Sequence, residues 1–239
     1  MLPAPVRLPA SALAALVERE RFGELHPTLA SAPVWRDTAP ATNDVTAQLT
    51  KLGWRGRDGR LDREVAVSLA LLCRQDVAYY GWFTHDGTTT AVLAAGAGRE
   101  GILAVRRQDG MIELSGAQSR RLVERLIAEL PQTRPASGAP VVVSLSELRA
   151  TDRHGRQRAE GGVVAHRARP EIRQVQELLR LPTVGAGELY SSHRPQPLCY
   201  VDTAAGRYMV TTVNADTVRI GPAPGSALAD QLNGLRLRA

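Results

Sequence analysis

The sequence predicts an α+β fold: a central antiparallel sheet with flanking helices, made of two pseudo-twofold-related halves. Three observations carry this. Short β-rich segments follow one another across Asp-Gly and other glycine-containing turns, which join neighbouring strands antiparallel. Each run of strands closes with a helix whose leucines are spaced by four. The order strand, helix, insertion, helix, four strands, helix occurs twice, and local residues agree across the two copies.

In the first copy, 6-VRLP-9 reads as a strand, and Ser11 is suited to cap a helix over Ala12 to Phe22. Pro33 to Thr42 is loop, and Asn43 or Asp44 caps a helix through Leu52. A helix from Asp62 to Arg74 follows, with Val65, Leu69 and Leu72 on one face. Strands are expected at Val77 to Phe83, Thr89 to Ala95, Ile102 to Arg107 and Met111 to Leu114, the first pair joined by a hairpin at 85-HDG-87. Gln118 to Leu130 is a helix, stopped by Pro131. In the second copy, Pro140 to Leu145 is a strand, Ser146 to Arg149 a short helix or turn, and Pro170 to Leu181 a helix. Strands follow around Gly187 to Ser192, Leu198 to Asp202, Arg207 to Val213 and Thr217 to Ile220, then a helix over Ser226 to Leu235.

The copies align at an offset of 106 residues where 112-IEL-114 and its following Leu122 and Leu126 meet 218-VRI-220, Leu228 and Leu232. The whole chain is thus expected to form one domain. Its halves span approximately 1–131 and 140–239, joined by a linker at 132–139, with an exposed basic loop at 151–168. Hairpin-connected sheets of this kind need cover on at least one face, and two of them merge naturally about a twofold axis.

Composition narrows the function. Across 239 residues, 44% hydrophobic and 23% charged content is that of an ordinary globular protein. The net charge of +6, nearly all from arginine, allows an acidic partner. The proline-broken, acid-containing N-terminal stretch does not read as a signal peptide, and no apolar run reaches the length of a membrane span, so a soluble cytoplasmic protein is expected. Cys73 and Cys199 read as buried thiols.

No catalytic or metal-binding constellation stands out. Gly96, Gly98 and Gly101 have the G-x-G-x-x-G spacing of a phosphate loop, but a short β-like run follows where a helix would have to open. They read instead as a hairpin that needs positive φ angles, with 202-DTAAG-206 as its counterpart in the second half. His26, His85, His154, His166 and His193 show no ligand spacing, so neither a metal nor another cofactor is expected. Arg153, Arg156, Arg158, Arg167 and Arg169 form the one basic cluster. They support an alternative reading as a nucleic-acid-associated protein, against which stands the lack of interleaved aromatics. The aromatic strand 79-YYGWF-83 offers side chains for the core and for a partner.

The succession 58-DGRLDREVAVSLALLCRQDVAYYGWF-83, 91-AVLAAGAGREGILAVRR-107, 126-LIAELP-131 and 198-LCYVDTAAGRYMVTTVNADTVRIGPAPGSALADQL-232 resembles the EspG family in order along most of the chain. That resemblance implies a non-enzymatic, cytosolic chaperone of type VII (ESX) secretion in actinobacteria. Its partner would be the helical tip of a PPE protein in a PE–PPE heterodimer, or a WXG-motif protein. The family's contacts map to 85-HDGTT-89 and to the helices 118–130 and 226–235, and so to Asp86, Gly87, Leu228, Gln231 and Leu235. The 85–89 turn is shorter than the long loop of the better-known members. Monomer and dimer both remain open.

Overall fold

The computed structural model describes residues 2, 4–30, 52–55, 59–150 and 169–237. The helix expected before Leu52 and the basic stretch at 151–168 lie outside these residues.

Ten strands form one antiparallel sheet. In chain order they are β1 (Val6–Pro9), β2 (Val77–His85), β3 (Thr88–Ala97), β4 (Glu100–Arg106), β5 (Met111–Gln118), β6 (Val141–Ser144), β7 (Thr183–Ser191), β8 (Arg194–Thr203), β9 (Gly206–Thr212) and β10 (Thr217–Pro222). Their spatial order is β1-β5-β4-β3-β2-β7-β8-β9-β10-β6. Each half contributes one hairpin meander plus a short outer strand, and the halves join at β2 and β7. Thr183 follows Val77, Arg194 follows Thr88, Gly206 follows Glu100 and Thr217 follows Met111 by the same 106 residues. In the central pairing Trp82 faces Glu188, its own counterpart at that offset. The pseudo-twofold axis therefore passes between these two residues.

Alternation of side chains along each strand sends apolar residues to both faces. One face carries α3 (Leu122–Ala128) and α5 (Gly225–Leu237). Leu122, Leu126, Leu228 and Leu232 pack there on Val77, Tyr79, Phe83, Leu189 and Tyr200, so a single core spans both halves. On the opposite face the described residues provide cover toward the ends. Under the first half, α1 (Ala10–Arg19) and α2 (Arg63–Ala70) pack with Trp54 on Ala78, Leu93, Ile102 and Ile112. Under the second, α4 (Pro170–Leu179) packs Ile172 and Val175 on Val143, Val218 and Ile220.

Local chemistry sets several element ends. Asp62 caps α2 by accepting from the N–H groups of Glu64 and Val65 at 2.8 and 3.2 Å. α1 starts at Ala10, before the expected Ser11 cap, because the chain passes directly from β1 through Pro9 into the helix. The Ala10 N–H then donates to the Gly110 carbonyl at 2.9 Å, and Leu145, opening a helical segment at 145–150, donates likewise to Asp216 at 2.7 Å. β7 starts at Thr183, earlier than expected, since Thr183 pairs with Thr203 of β8 and Gly185 with His85 of β2.

The Gly-rich stretch is a hairpin between β3 and β4, and only Gly98 has a positive φ, +56°. Gly96 and Gly101 are needed for a different reason. A Cβ on either would approach the Leu122 methyl groups to 2.9 and 3.0 Å, so their absence of side chain seats α3 on the sheet. Cys73 and Cys199 are both free and half-buried, more open than a core thiol, with burial raising both thiol pKa values.

Candidate functional site

Between α1–α2 on one side and α4 on the other, no element among the described residues packs on the middle of the sheet. Its floor follows from strand alternation. On β2, Val77, Tyr79 and Phe83 point to the α3–α5 core, so Tyr80 and Trp82 point the other way. On β7, Leu189 points to that core, which turns Glu188 and Tyr190 to the open face. Register then brings Tyr80 opposite Tyr190 and Trp82 opposite Glu188.

These side chains form one cluster. The Tyr80 and Tyr190 rings stack with centroids 5.3 Å apart and planes within 8°. Trp82 stands edge-on to both, at 6.1 and 6.0 Å. His26 closes one end against Tyr80 at 4.6 Å, and burial lowers its pKa, favouring the neutral ring. The Tyr190 hydroxyl donates to the Glu188 carboxylate at 2.7 Å. That bond, made by the neutral phenol, is the main reason its pKa is pushed up to about 12. The three aromatic rings are half-buried and Glu188 is exposed. Gly81 makes the arrangement possible: a Cβ there would come within 2.1 Å of the Glu188 carbonyl oxygen and block the central strand pairing.

The hairpin tip expected to contact a partner is present as a two-residue turn. Asp86 and Gly87 have φ of +47° and +74°, the mirror-image turn that suits the twist of paired strands. Both are exposed. The Asp86 N–H donates to the Val184 carbonyl at 3.2 Å, and its carboxylate lies 3.5 Å from His85 Nε2.

The helix positions divide. Leu228 is fully buried in the core beneath α5, so it anchors the helix rather than presenting a surface. Gln231 is exposed on the outer side of α5. Leu235 lies in the backbone of the same helix. The start of α5 and the end of α3 border a cleft of about 360 Å³, lined in part by Ile127, Pro131, Thr133, Arg207 and Ser226. Arg207 is committed there: it grips Asp202 through two bonds of 2.6 and 2.7 Å, donates to the Pro131 carbonyl at 2.9 Å and lies 4.4 Å above the Tyr200 ring.

Among the basic cluster, only Arg169 falls within the described residues. It pairs with Glu147 and Glu171 at 3.6 and 3.8 Å. Among the described residues no three His, Cys, Asp or Glu side chains gather as a metal site requires, and no helix is long and apolar enough to cross a membrane.

Tyr190 and Glu188 were not singled out by sequence reasoning. The available signal is 188-ELY-190, where an acid and an aromatic two apart share one face of a strand.

Fold and surface together define a class: a pseudo-symmetric α+β protein whose continuous sheet carries helices at both ends of one face and, among the described residues, none over its aromatic middle. The chain belongs to the EspG family, whose model matches residues 9–234. No curated protein matches it in sequence. Among solved structures it is similar in fold to the Mycobacterium tuberculosis type VII secretion system chaperone EspG5, which was solved in complex with the PE25–PPE41 dimer. The TM-score is 0.69 and the identity 14%, over 98% of this chain and 96% of that one.

Proposed function

We propose that this protein is a cytoplasmic, non-enzymatic chaperone of type VII secretion. It binds the helical tip of a PPE-like substrate within a PE–PPE dimer, keeps the substrate soluble and directs it to its secretion system. Membership of the EspG family and the fold shared with a chaperone solved on such a dimer support this reading. The observation that carries it is the half-exposed cluster of Tyr80, Trp82 and Tyr190 on the uncovered middle of a rigid sheet. Aromatic side chains held in place supply contact area at little entropic cost and dominate many protein interfaces.

In this reading Asp86 and Gly87 extend the contact from the sheet's end, Gln231 and Leu235 act from α5, and Leu228 acts indirectly by holding α5 in place. We also take the chain as a duplication, with halves at about 1–131 and 140–239 joined through 132–139.

The test is co-expression with a PE–PPE-type pair and capture on a tag carried by this chain. A stable ternary complex is expected, and Tyr80→Ala with Tyr190→Ala should weaken it by about 2 kcal/mol or more, as loss of an interface hot spot does. Failure of any helical secretion substrate to co-purify would remove the main support for the reading.

A further inference from the structure

The open surface is not uniformly apolar. At its centre stands one carboxylate, Glu188, exposed and beside three aromatic rings. Its carboxylate accepts from the Tyr190 hydroxyl, and no arginine among the described residues pairs with it. This is unexpected in an arginine-rich chain of charge +6, where other carboxylates such as Glu113, Glu147 and Asp202 do hold arginines.

The pseudo-symmetry sharpens the point. The scaffold repeats across the axis, yet the open-face side chains do not. Tyr80, Trp82 and Thr84 of β2 correspond at the 106-residue offset to Ala186, Glu188 and Tyr190 of β7. Aromatic faces and a carboxylate thus come together at one place. Aromatic faces attract cations through their ring quadrupole, and a carboxylate adds a direct ion pair. Charge complementarity therefore selects an occupant bearing a cation.

We infer that Glu188, Tyr190, Tyr80 and Trp82 form an open box for a single cationic side chain, arginine above all, projecting from the bound protein partner. This rests on the chaperone reading for the identity of that partner, but the box can be tested alone. Tyr190 has a positioning part: its hydroxyl holds the carboxylate beside the rings.

The probe is N-acetyl-arginine amide, with N-acetyl-citrulline amide as its neutral analogue, titrated into the full chain. The readout is the indole N–H resonance of Trp82 in an NMR spectrum, assigned by its loss in Trp82→Phe. Buried Trp54 serves as an internal control. The arginine amide should shift Trp82 saturably, the citrulline amide should not, and Glu188→Gln should weaken the response about threefold, consistent with one exposed ion pair. Salt should weaken it as well. An equal response to citrulline amide, or an unchanged response in Glu188→Gln, overturns the proposal. The client experiment separates the two readings. Capture of a PE–PPE pair with a silent Trp82 defeats the box alone. A Trp82 response to arginine amide without capture supports the box and counts against the chaperone reading.

Discussion

The two halves of this protein share a backbone plan but solve the same local problems with different chemistry. Where β3 turns into β4, the helix that follows is seated by missing side chains: Gly96 and Gly101 let Leu122 approach the sheet. At the corresponding hairpin of the second half stand Asp202 and Arg207, each 106 residues on, and they form a buried ion pair. The same strand positions hold a close packing contact in one half and an electrostatic bolt in the other. The reason is the chain between the halves. After α3 it runs across the β8–β9 hairpin, where Arg207 donates to the Pro131 carbonyl, Thr133 donates to Asp202 at 3.0 Å, the Ala136 N–H donates to the Arg207 carbonyl and the Arg207 N–H to the Arg134 carbonyl. The pair thus ties the connecting segment to the second half. Among the described residues no such segment crosses the β3–β4 hairpin of the first half.

That contrast is broken most severely at Arg207. Arg207→Met leaves Asp202 buried with the Thr133 hydroxyl bond and His85 Nδ1 at 3.9 Å in place of the guanidinium, and should cost about 3–5 kcal/mol, as loss of one partner from a buried pair does. Urea denaturation followed by circular dichroism measures it. Adding Asp202→Leu to Arg207→Met should recover part of the loss, because the orphaned charge is gone. If the single variant costs no more than a surface substitution, the bolt is ornamental and the two hairpins are equivalent.

A second contrast lies at the axis itself. On the core side both halves carry glycine, Gly81 and Gly187, which correspond at the 106-residue offset. A Cβ at Gly187 would sit 2.5 Å from the Tyr200 ring, and one at Gly81 would meet backbone. On the open side the halves diverge into Trp82 and Glu188. Packing imposes the same residue on both halves where the sheets merge, and leaves the solvent side free to specialise. Gly81→Ala should cost about 1–3 kcal/mol, the usual range for overpacking, since the obstacle is a carbonyl that moves only with its strand. Gly187→Ala should cost less within that range, because an aromatic ring can turn. Equal thermal denaturation midpoints for the two variants would contradict this ordering.

How much of this was legible beforehand depends on range. Turns and periodicity are local, so the hairpins at 85–87 and 108–110, the helix start at Asp62 and the leucine faces of α2 and α3 could be read directly. The offset of 106 was visible at the ends of the repeats. The open surface was not, because 79-YYGWF-83 shows only that alternate aromatics face opposite sides. Which side stays uncovered depends on where α1, α2 and α4 stop, a long-range matter. Leu228 illustrates the same limit. Its spacing with Leu232 marked it as core, while its place in the family pattern marked it as contact, and burial decides for the core. The Asp202–Arg207 bolt left a faint trace: opposite charges placed across a short turn in 202-DTAAGR-207.

The smallest expected effect tests the outer edges of the sheet, where the halves again differ. In the first, Arg7 of β1 pairs with Asp109 in the turn before β5, an exposed ion pair. In the second, Asp216 before β10 accepts from Ser144 Oγ, Ser146 N–H and Ser146 Oγ at 2.6, 2.9 and 2.9 Å. Those bonds, that from Ser144 foremost, favour the carboxylate and hold its pKa below the ordinary 3.8. A carboxyl group with a depressed native pKa adds stability above its unfolded pKa, and the gain fades as pH falls through the native value. Asp216→Asn should therefore be less stable than the parent at pH 7, and the gap should close below about pH 4. Added salt should erode the contribution of Arg7 more than that of Asp216, since screening acts on charge pairs and much less on hydrogen bonds to neutral donors. A gap that persists unchanged at pH 2 would assign the effect to lost packing at this edge and not to the charge that the two serines hold.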